Sequence, residues 1–183
     1  MDQRMSKDKY YLNIAHAVLD RSTCLRRKYG AIIVKNDEIL STGYNGAPRG
    51  RVNCSELGYC NREQLNIPSG QRYELCRSVH AEANAIISAA RRDMIGGTLY
   101  LVGRAAASGE LLHDTTSCAM CRRMIINSGI TRVVNRIGDD GIEIIDVQNW
   151  IVNDESIQPK AEAEGARFCF TSAVFLIIIS KLD

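Results

Sequence analysis

Apolar residues recur along this chain in two rhythms, and the switches between them mark out the elements. Tyr11, Ile14, Ala15, Val18 and Leu19 come three or four positions apart behind Ser6, a good capping residue, and predict a first helix over 7–20. Ala31-Ile32-Ile33-Val34-Lys35 and Glu38-Ile39-Leu40-Ser41-Thr42 are β-rich runs flanking Asn36-Asp37, which signals a two-residue hairpin. Gly43-Tyr44-Asn45-Gly46-Ala47-Pro48 ends the second run in turn chemistry. Residues 49–79 show little periodicity and read as a long excursion, which needs a reason to be ordered. A helix over about 79–92 follows, with Ile86, Ile87 and Ala90 at helical spacing behind His80 and Arg91-Arg92 at its end. Gly96-Gly97 break the chain before a third strand over 98–102. Met124 and Ile125 mark a helix over 119–128 that Asn127-Ser128-Gly129 stops, and strands are expected over 130–134 and 142–147. The order α-β-β-α-β-α-β-β predicts an α/β protein, a mixed sheet with helices on both faces.

Length and composition narrow the classes. With 183 residues and 45% hydrophobic content the chain can bury one full core. A formal charge of +2 leaves no broad basic field, so nucleic acid is not the expected partner, whereas a small anionic substrate is compatible. Met1-Asp2-Gln3-Arg4-Met5-Ser6-Lys7-Asp8 carries both signs of charge and no apolar stretch, so no secretory signal is read and a cytoplasmic home is expected. Seven cysteines in a reducing compartment read as metal ligands and buried thiols rather than disulfides. Beyond residue 153 the composition becomes that of a linker, which sets a domain over 1–153 and a C-terminal extension over 154–183 without an assigned role. The apolar run Ala173-Val174-Phe175-Leu176-Ile177-Ile178-Ile179 in it falls far short of the ~20 residues of a membrane span, so no membrane partner is expected. An added strand or an oligomer contact are its two readings.

The chemistry lies in two short segments, Ser78-Val79-His80-Ala81-Glu82-Ala83-Asn84-Ala85-Ile86 and Ser117-Cys118-Ala119-Met120-Cys121. One imidazole and two thiolates make three ligands of the kind zinc takes and leave its fourth tetrahedral position for water. Each segment reads as a helix start, where the partial positive charge favours thiolate and carboxylate. Residues two apart do not share a face in mid-helix, but at a first turn His80 can hold the metal while Glu82 reaches towards the water. Two thiolates cancel the formal charge of the ion, so its water is less acidified than in an all-histidine site and a proton carrier is needed. Glu82 fits that task as a general acid and base. The arrangement H-x-E with a distant C-x-x-C is the signature of zinc-dependent base deaminases.

Further segments sharpen the resemblance: Ser22-Thr23-Cys24-Leu25-Arg26-Arg27-Lys28-Tyr29-Gly30-Ala31, Gly43-Tyr44-Asn45-Gly46, Ile67-Pro68-Ser69-Gly70 and Ile125-Ile126-Asn127-Ser128-Gly129-Ile130. With these, the chain from about Tyr11 to Val147 resembles the deoxycytidylate (dCMP) deaminase family, including the bacterial late-competence operon deaminases. That resemblance implies a three-layer α/β/α cytidine deaminase-like fold with a five-stranded mixed sheet. It also implies hydrolysis of dCMP to dUMP and ammonia, zinc on His80, Cys118 and Cys121, and Glu82 as proton shuttle. Asn45 falls where the family contacts the substrate sugar, and Tyr44 beside it is a further substrate-binding candidate, in a loop that in relatives can also meet a regulatory nucleotide. Members are often homo-oligomers, commonly hexamers, and many are activated by dCTP with magnesium and inhibited by dTTP. Ser117 departs from the family, which usually has proline there; proline stiffens the turn, and a serine hydroxyl can cap the helix instead.

Cys24, Cys54, Cys60 and Cys76 could form a second, structural zinc site, against a reading as ordinary thiols. A substrate phosphate calls for a guanidinium, and Arg26, in the basic run Arg26-Arg27-Lys28 before the first strand, is the first choice. His113 reads as a loop or rim residue, His16 as structural, and Trp150 with the other aromatics as too scattered for a stacking platform. Two rivals stand: a deaminase of a nucleoside, pterin-like ring or tRNA, and a non-catalytic nucleotide sensor. Glu82 weighs against the sensor, which has no use for a proton shuttle.

Overall fold

The computed structural model describes residues 4–68 and 70–154, so the apolar run 173–179 lies outside the described residues. Strands β1 (Arg27–Lys35) and β2 (Glu38–Tyr44) form the expected hairpin, with Asn36 and Asp37 both at positive φ. The register slips where Ile33 faces Ser41 but Val34 faces Ile39, leaving Leu40 as the extra residue of a bulge. β3 (Thr98–Ala105) pairs antiparallel with β1 and parallel with β4 (Arg132–Ile137), and β5 (Gly141–Asp146) closes the far edge, giving the order β2-β1-β3-β4-β5. The mixed five-stranded sheet is therefore as expected. β1 begins earlier than the apolar pattern indicates, because Arg27, Lys28, Tyr29 and Gly30 pair with β3 residues that continue to Ala105. The basic run thus enters the strand rather than preceding it.

Alternation along the strands supplies both faces. Helix α1 (Lys7–Leu19), capped by the Ser6 side chain, lays Leu12, Ala15 and Leu19 against Ile32, Val102 and Val134. On the opposite face, α4 (Ala81–Ile87) and α6 (Ala119–Ser128) pack Ala81, Ala85 and Ile125 against Ala31, Ile33, Leu101 and Val133. This is a three-layer α/β/α architecture, and the parallel β3–β4 pair takes α6 as its crossover.

The single helix expected over 79–92 is two pieces. Helix α4 stops at Ile87, which is 75% exposed, and α5 (Arg91–Met94) restarts after Ala90. Arg91 and Arg92 therefore open a helix rather than end one, and Arg91 Nε donates to the Asn127 carbonyl at 2.8 Å. The excursion carries two single-turn helices, α2 (Cys54–Leu57) and α3 (Asn61–Gln64), and a 3₁₀ turn at Tyr73–Leu75. Its order has a visible source: the buried Arg62 guanidinium donates to the carbonyls of Pro68 at 2.7 Å and Gln71 at 2.5 Å, and Asn61 Nδ2 donates to the Leu75 carbonyl. A short α7 (Gln148–Val152), which the pattern does not announce, ends the described chain.

A partly buried ion pair helps to join α1 to the sheet. Arg132 donates bidentately to Asp8, at 3.0 and 2.8 Å, and Tyr100 Oη donates to the same carboxylate at 3.0 Å. The Arg132 bonds hold the Asp8 carboxyl below its ordinary range, against the opposing pull of partial burial. A carboxylate with a depressed folded pKa contributes stability above its unfolded value and loses it as pH falls through the folded one. Asp8→Asn is expected to cost about 1–2 kcal/mol at neutral pH, a figure already reduced for partial exposure. Urea melts of both proteins should converge as the medium is acidified towards pH 2; a gap that persists there would assign the loss to packing.

Candidate metal and catalytic site

The site forms where the N-terminal ends of α4 and α6 meet above one face of the sheet. His80 is the N-cap of α4 and Cys118 the N-cap of α6, each with extended backbone, and Cys121 lies in the first turn of α6. His80 Nδ1 lies 3.4 Å from the sulfur of Cys118 and 3.4 Å from that of Cys121. All three ligand atoms fall within 4.8 Å of one another, the one such trio of ligand-type side chains among the described residues. Tetrahedral zinc with Zn–S near 2.3 Å and Zn–N near 2.0 Å would set sulfur and nitrogen about 3.5 Å apart, so the spacing fits that ion.

The electrostatics fit as well. The Cys118 thiol is driven well below its ordinary range, chiefly by the hydrogen bond from Cys121, with His80 adding to it. The Cys121 thiol is driven up by the same contact and by burial. Two sulfurs that compete to ionise beside an imidazole make a donor set that a dication satisfies. Burial pulls the His80 pKa down, but the contact with Cys118 and the charge of Glu82 outweigh it and leave the imidazole above its ordinary value. Glu82 is 4% exposed, and burial raises its carboxyl, opposed by its own backbone N–H and by His80. Its position in the first turn of α4 places it beside the cap residue His80, so the two share the helix end.

The family model for the cytidine and deoxycytidylate deaminase zinc-binding region matches residues 5–136. The chain belongs to that family. This deaminase is 40% identical over 132 residues to the deoxycytidylate deaminase of Mycobacterium phage D29, covering 69% of this chain and 91% of that one. It is 34% identical over 131 residues to the deoxycytidylate deaminase of Schizosaccharomyces pombe, covering 72% of this chain but 37% of that longer protein. Among solved structures, the apo dCMP deaminase of cyanophage S-TIM5 superposes with a TM-score of 0.50 at 26% identity, over 74% of this chain and 88% of that one. The fold expectation and the family expectation both stand.

A cavity leads from the surface to His80 and Glu82, and it sorts the remaining residues of the deaminase. Arg26 and Asn45 line it; Tyr44 does not, and its carbonyl instead accepts from Asn84 Nδ2 at 2.7 Å. Asn45 is committed to the framework, its Oδ1 accepting from Ser22 Oγ at 2.6 Å and from the Tyr29 N–H at 2.7 Å, its Nδ2 donating to the Arg27 carbonyl. Arg26 forms an ion pair with Glu63 at 3.0 Å. Cys24, Cys60 and Cys76 line the cavity; burial raises the Cys54 thiol, these three add to it and Arg77 opposes, yet no three of the four sulfurs reach mutual ligand distance. Ser117 does not cap α6: Cys118 holds that position, and the buried Ser117 hydroxyl makes no bond of full hydrogen-bond geometry but faces Glu82 and lowers its carboxyl. His113 is outside the ligand trio and packs on Gly138. Trp150, on α7, lies under the Arg122 guanidinium at 5.2 Å.

Tyr29, Arg62 and Tyr73 are among the cavity residues that the sequence pattern does not single out. Tyr29 sits on a strand stretch without alternation, while Arg62 and Tyr73 belong to the aperiodic excursion. The Arg62 guanidinium lies 4.7 Å from the Tyr73 ring centroid, and that ring meets His80 edge-on at 4.8 Å. A charged residue in an irregular segment gives no signal of burial, so nothing in the pattern marks it.

Proposed function

We propose that this protein hydrolyses dCMP to dUMP and ammonia, with Glu82 as the catalytic proton carrier and His80, Cys118 and Cys121 as the zinc ligands. The observation that carries the reading is the buried Glu82 carboxyl in the first turn of α4, the helix that His80 caps, beside a His/Cys/Cys trio spaced for zinc. Relatives named deoxycytidylate deaminase support the choice of substrate. Zinc bound there supplies Lewis-acid activation of a water molecule for attack on C4 of the cytosine ring. Glu82 would take one proton of that water and deliver it to ring N3, then take the remaining hydroxyl proton from the oxygen added at C4 and pass it to the amine, which leaves as ammonia as the C4 carbonyl forms. Burial raises the Glu82 carboxyl above its ordinary range, which favours its holding a proton between the two transfers.

Ammonia release measured across dCMP, deoxycytidine, CMP and dCTP tests the substrate assignment. Turnover concentrated on dCMP is expected; turnover spread equally over deoxycytidine, or none on any of the four, would sink it. Arg26 enters the proposal as a phosphate ligand and Asn45 as the part of the wall beside the sugar, both from their places in the cavity. Tyr44 could join only at a regulatory nucleotide, being outside that cavity. The same assay with dCTP and magnesium, or with dTTP, reads the regulation that the family resemblance implies, and light scattering reads the homo-oligomer.

A structural zinc on Cys24, Cys54, Cys60 and Cys76 requires these sulfurs to draw together. Metal analysis showing two zinc ions per chain, falling to one in Cys54→Ser, would establish it. The deaminase unit is assigned to residues 1–153, and residues 154–183 stay an extension. Among the described residues no helix is long and apolar enough to cross a membrane. A cytoplasmic location completes the proposal, supported by cysteines that are free throughout the described residues.

A further inference from the structure

Three arginines line the cavity that leads to His80, and their states of charge differ. Arg26 is neutralised by Glu63 at 3.0 Å, and Arg27 by Asp114 at 2.9 Å. Arg62 has no carboxylate partner among the described residues, although it is the most deeply buried of the three at 6% exposure. Its hydrogen bonds go through Nη2 to two neutral carbonyls, those of Pro68 and Gln71. Its Nε is buried and finds no acceptor. The guanidinium carbon lies over the Tyr73 ring, which in turn meets the proposed ligand His80 edge-on, so the charge is fixed two side chains from the reacting centre.

A buried cation is ordinarily paired, because neutral acceptors do not replace the solvation that a full charge gives up. Retaining one unpaired on the wall of a substrate cavity makes sense if the counter-ion arrives with the substrate. Phosphate is the group that suits it: a dianion with oxygens spaced for a guanidinium fork. Arg26 and Arg27 would have to share a phosphate with their own carboxylates, whereas Arg62 would not.

We propose that Arg62 is a specificity-determining residue of this deaminase, its uncompensated guanidinium selecting a nucleoside monophosphate over the free nucleoside. The inference rests on the dCMP reading above and adds a residue to it. Arg62 also staples residues 68–71, and because a staple serves every substrate alike, the ratio between the two substrates is what reads the charge.

The test uses the full-length, zinc-loaded enzyme and its Arg62→Gln and Arg62→Lys variants, each assayed on dCMP and on deoxycytidine. For Arg62→Gln, kcat/KM on dCMP is expected to fall roughly 10²-fold while that on deoxycytidine stays within about threefold, the range of a lost charged hydrogen bond. Lysine keeps the charge and loses the fork, so Arg62→Lys should retain about a tenth of the wild-type preference for dCMP, and it stands in should the glutamine variant fail to fold. Equal losses on both substrates, or an unchanged preference in the lysine variant, would overturn the proposal. A wild-type enzyme that turns over deoxycytidine as well as dCMP would instead bring down the nucleotide reading and Arg62 with it.

Discussion

Glu82→Gln is expected to lower ammonia release from dCMP by about 10²- to 10⁴-fold, with zinc content and thermal midpoint close to wild type. Glutamine keeps the shape of the side chain and its hydrogen-bonding capacity but cannot carry a proton from water to the ring. The metal site should not notice the change, because Glu82 is not one of the three side chains that meet within 4.8 Å. Removing a buried carboxyl whose pKa is already pushed up by burial also leaves no unpaired charge behind, so stability should hold. Activity and zinc measured on the same preparation decide the matter. Loss of zinc along with activity would mean that Glu82 acts as a ligand, and retention of activity would remove it from the chemistry.

Gly43→Ala is expected to do the reverse, damaging the fold and the metal site together. A Cβ at Gly43 would stand 2.2 Å from the Ala81 carbonyl oxygen and 2.4 Å from the Ala85 nitrogen. Both obstacles are backbone of α4, so no rotamer change relieves them and the helix itself must shift. That helix cannot shift freely, because Ser41 Oγ donates to the Ala85 carbonyl at 2.8 Å and Asn84 Nδ2 to the Tyr44 carbonyl at 2.7 Å. A single added methyl in so tight a contact should therefore cost about 3 kcal/mol or more. Because His80 and Glu82 belong to the first turn of this helix, zinc affinity should fall too. Chemical denaturation and a competitive zinc titration measure the two effects. A variant with wild-type stability would show that α4 stands further from β2 than the structure places it.

How much of this the sequence discloses depends on whether a residue reports its own surroundings. The hairpin, α1 and α6 were legible because apolar spacing and turn residues there answer to local rules, and helix 119–128 ends where Gly129 takes a left-handed φ of 82°. The metal trio was legible because few chemistries other than metal binding call for a histidine, a carboxylate and paired cysteines in that order. The break between α4 and α5 was not, since Ser88 and Ala90 are compatible with a continuous helix and the interruption follows from how α4 docks on the sheet. Lys28 and Tyr29 look like a loop until β3 supplies the partner strand. Arg62 is the extreme case: its sequence neighbours give it the look of a solvated residue, and its burial arises from backbone carbonyls and an aromatic ring supplied by a later stretch of chain.

The two outer layers of the sheet differ in what fastens them. Helix α1 is attached by hydrocarbon and by the Asp8–Arg132 pair, whereas α4 and α6 also bring together the three ligand-type side chains of the proposed zinc site. A zinc ion held by the proposed ligands would act there as a rivet between segments distant in the chain, so scarcity of zinc would loosen one side of the molecule while the other keeps its grip. Such an enzyme could lose its active layer in a metal-poor cell and regain it on resupply, with the hairpin and α1 serving throughout as the platform on which it reassembles.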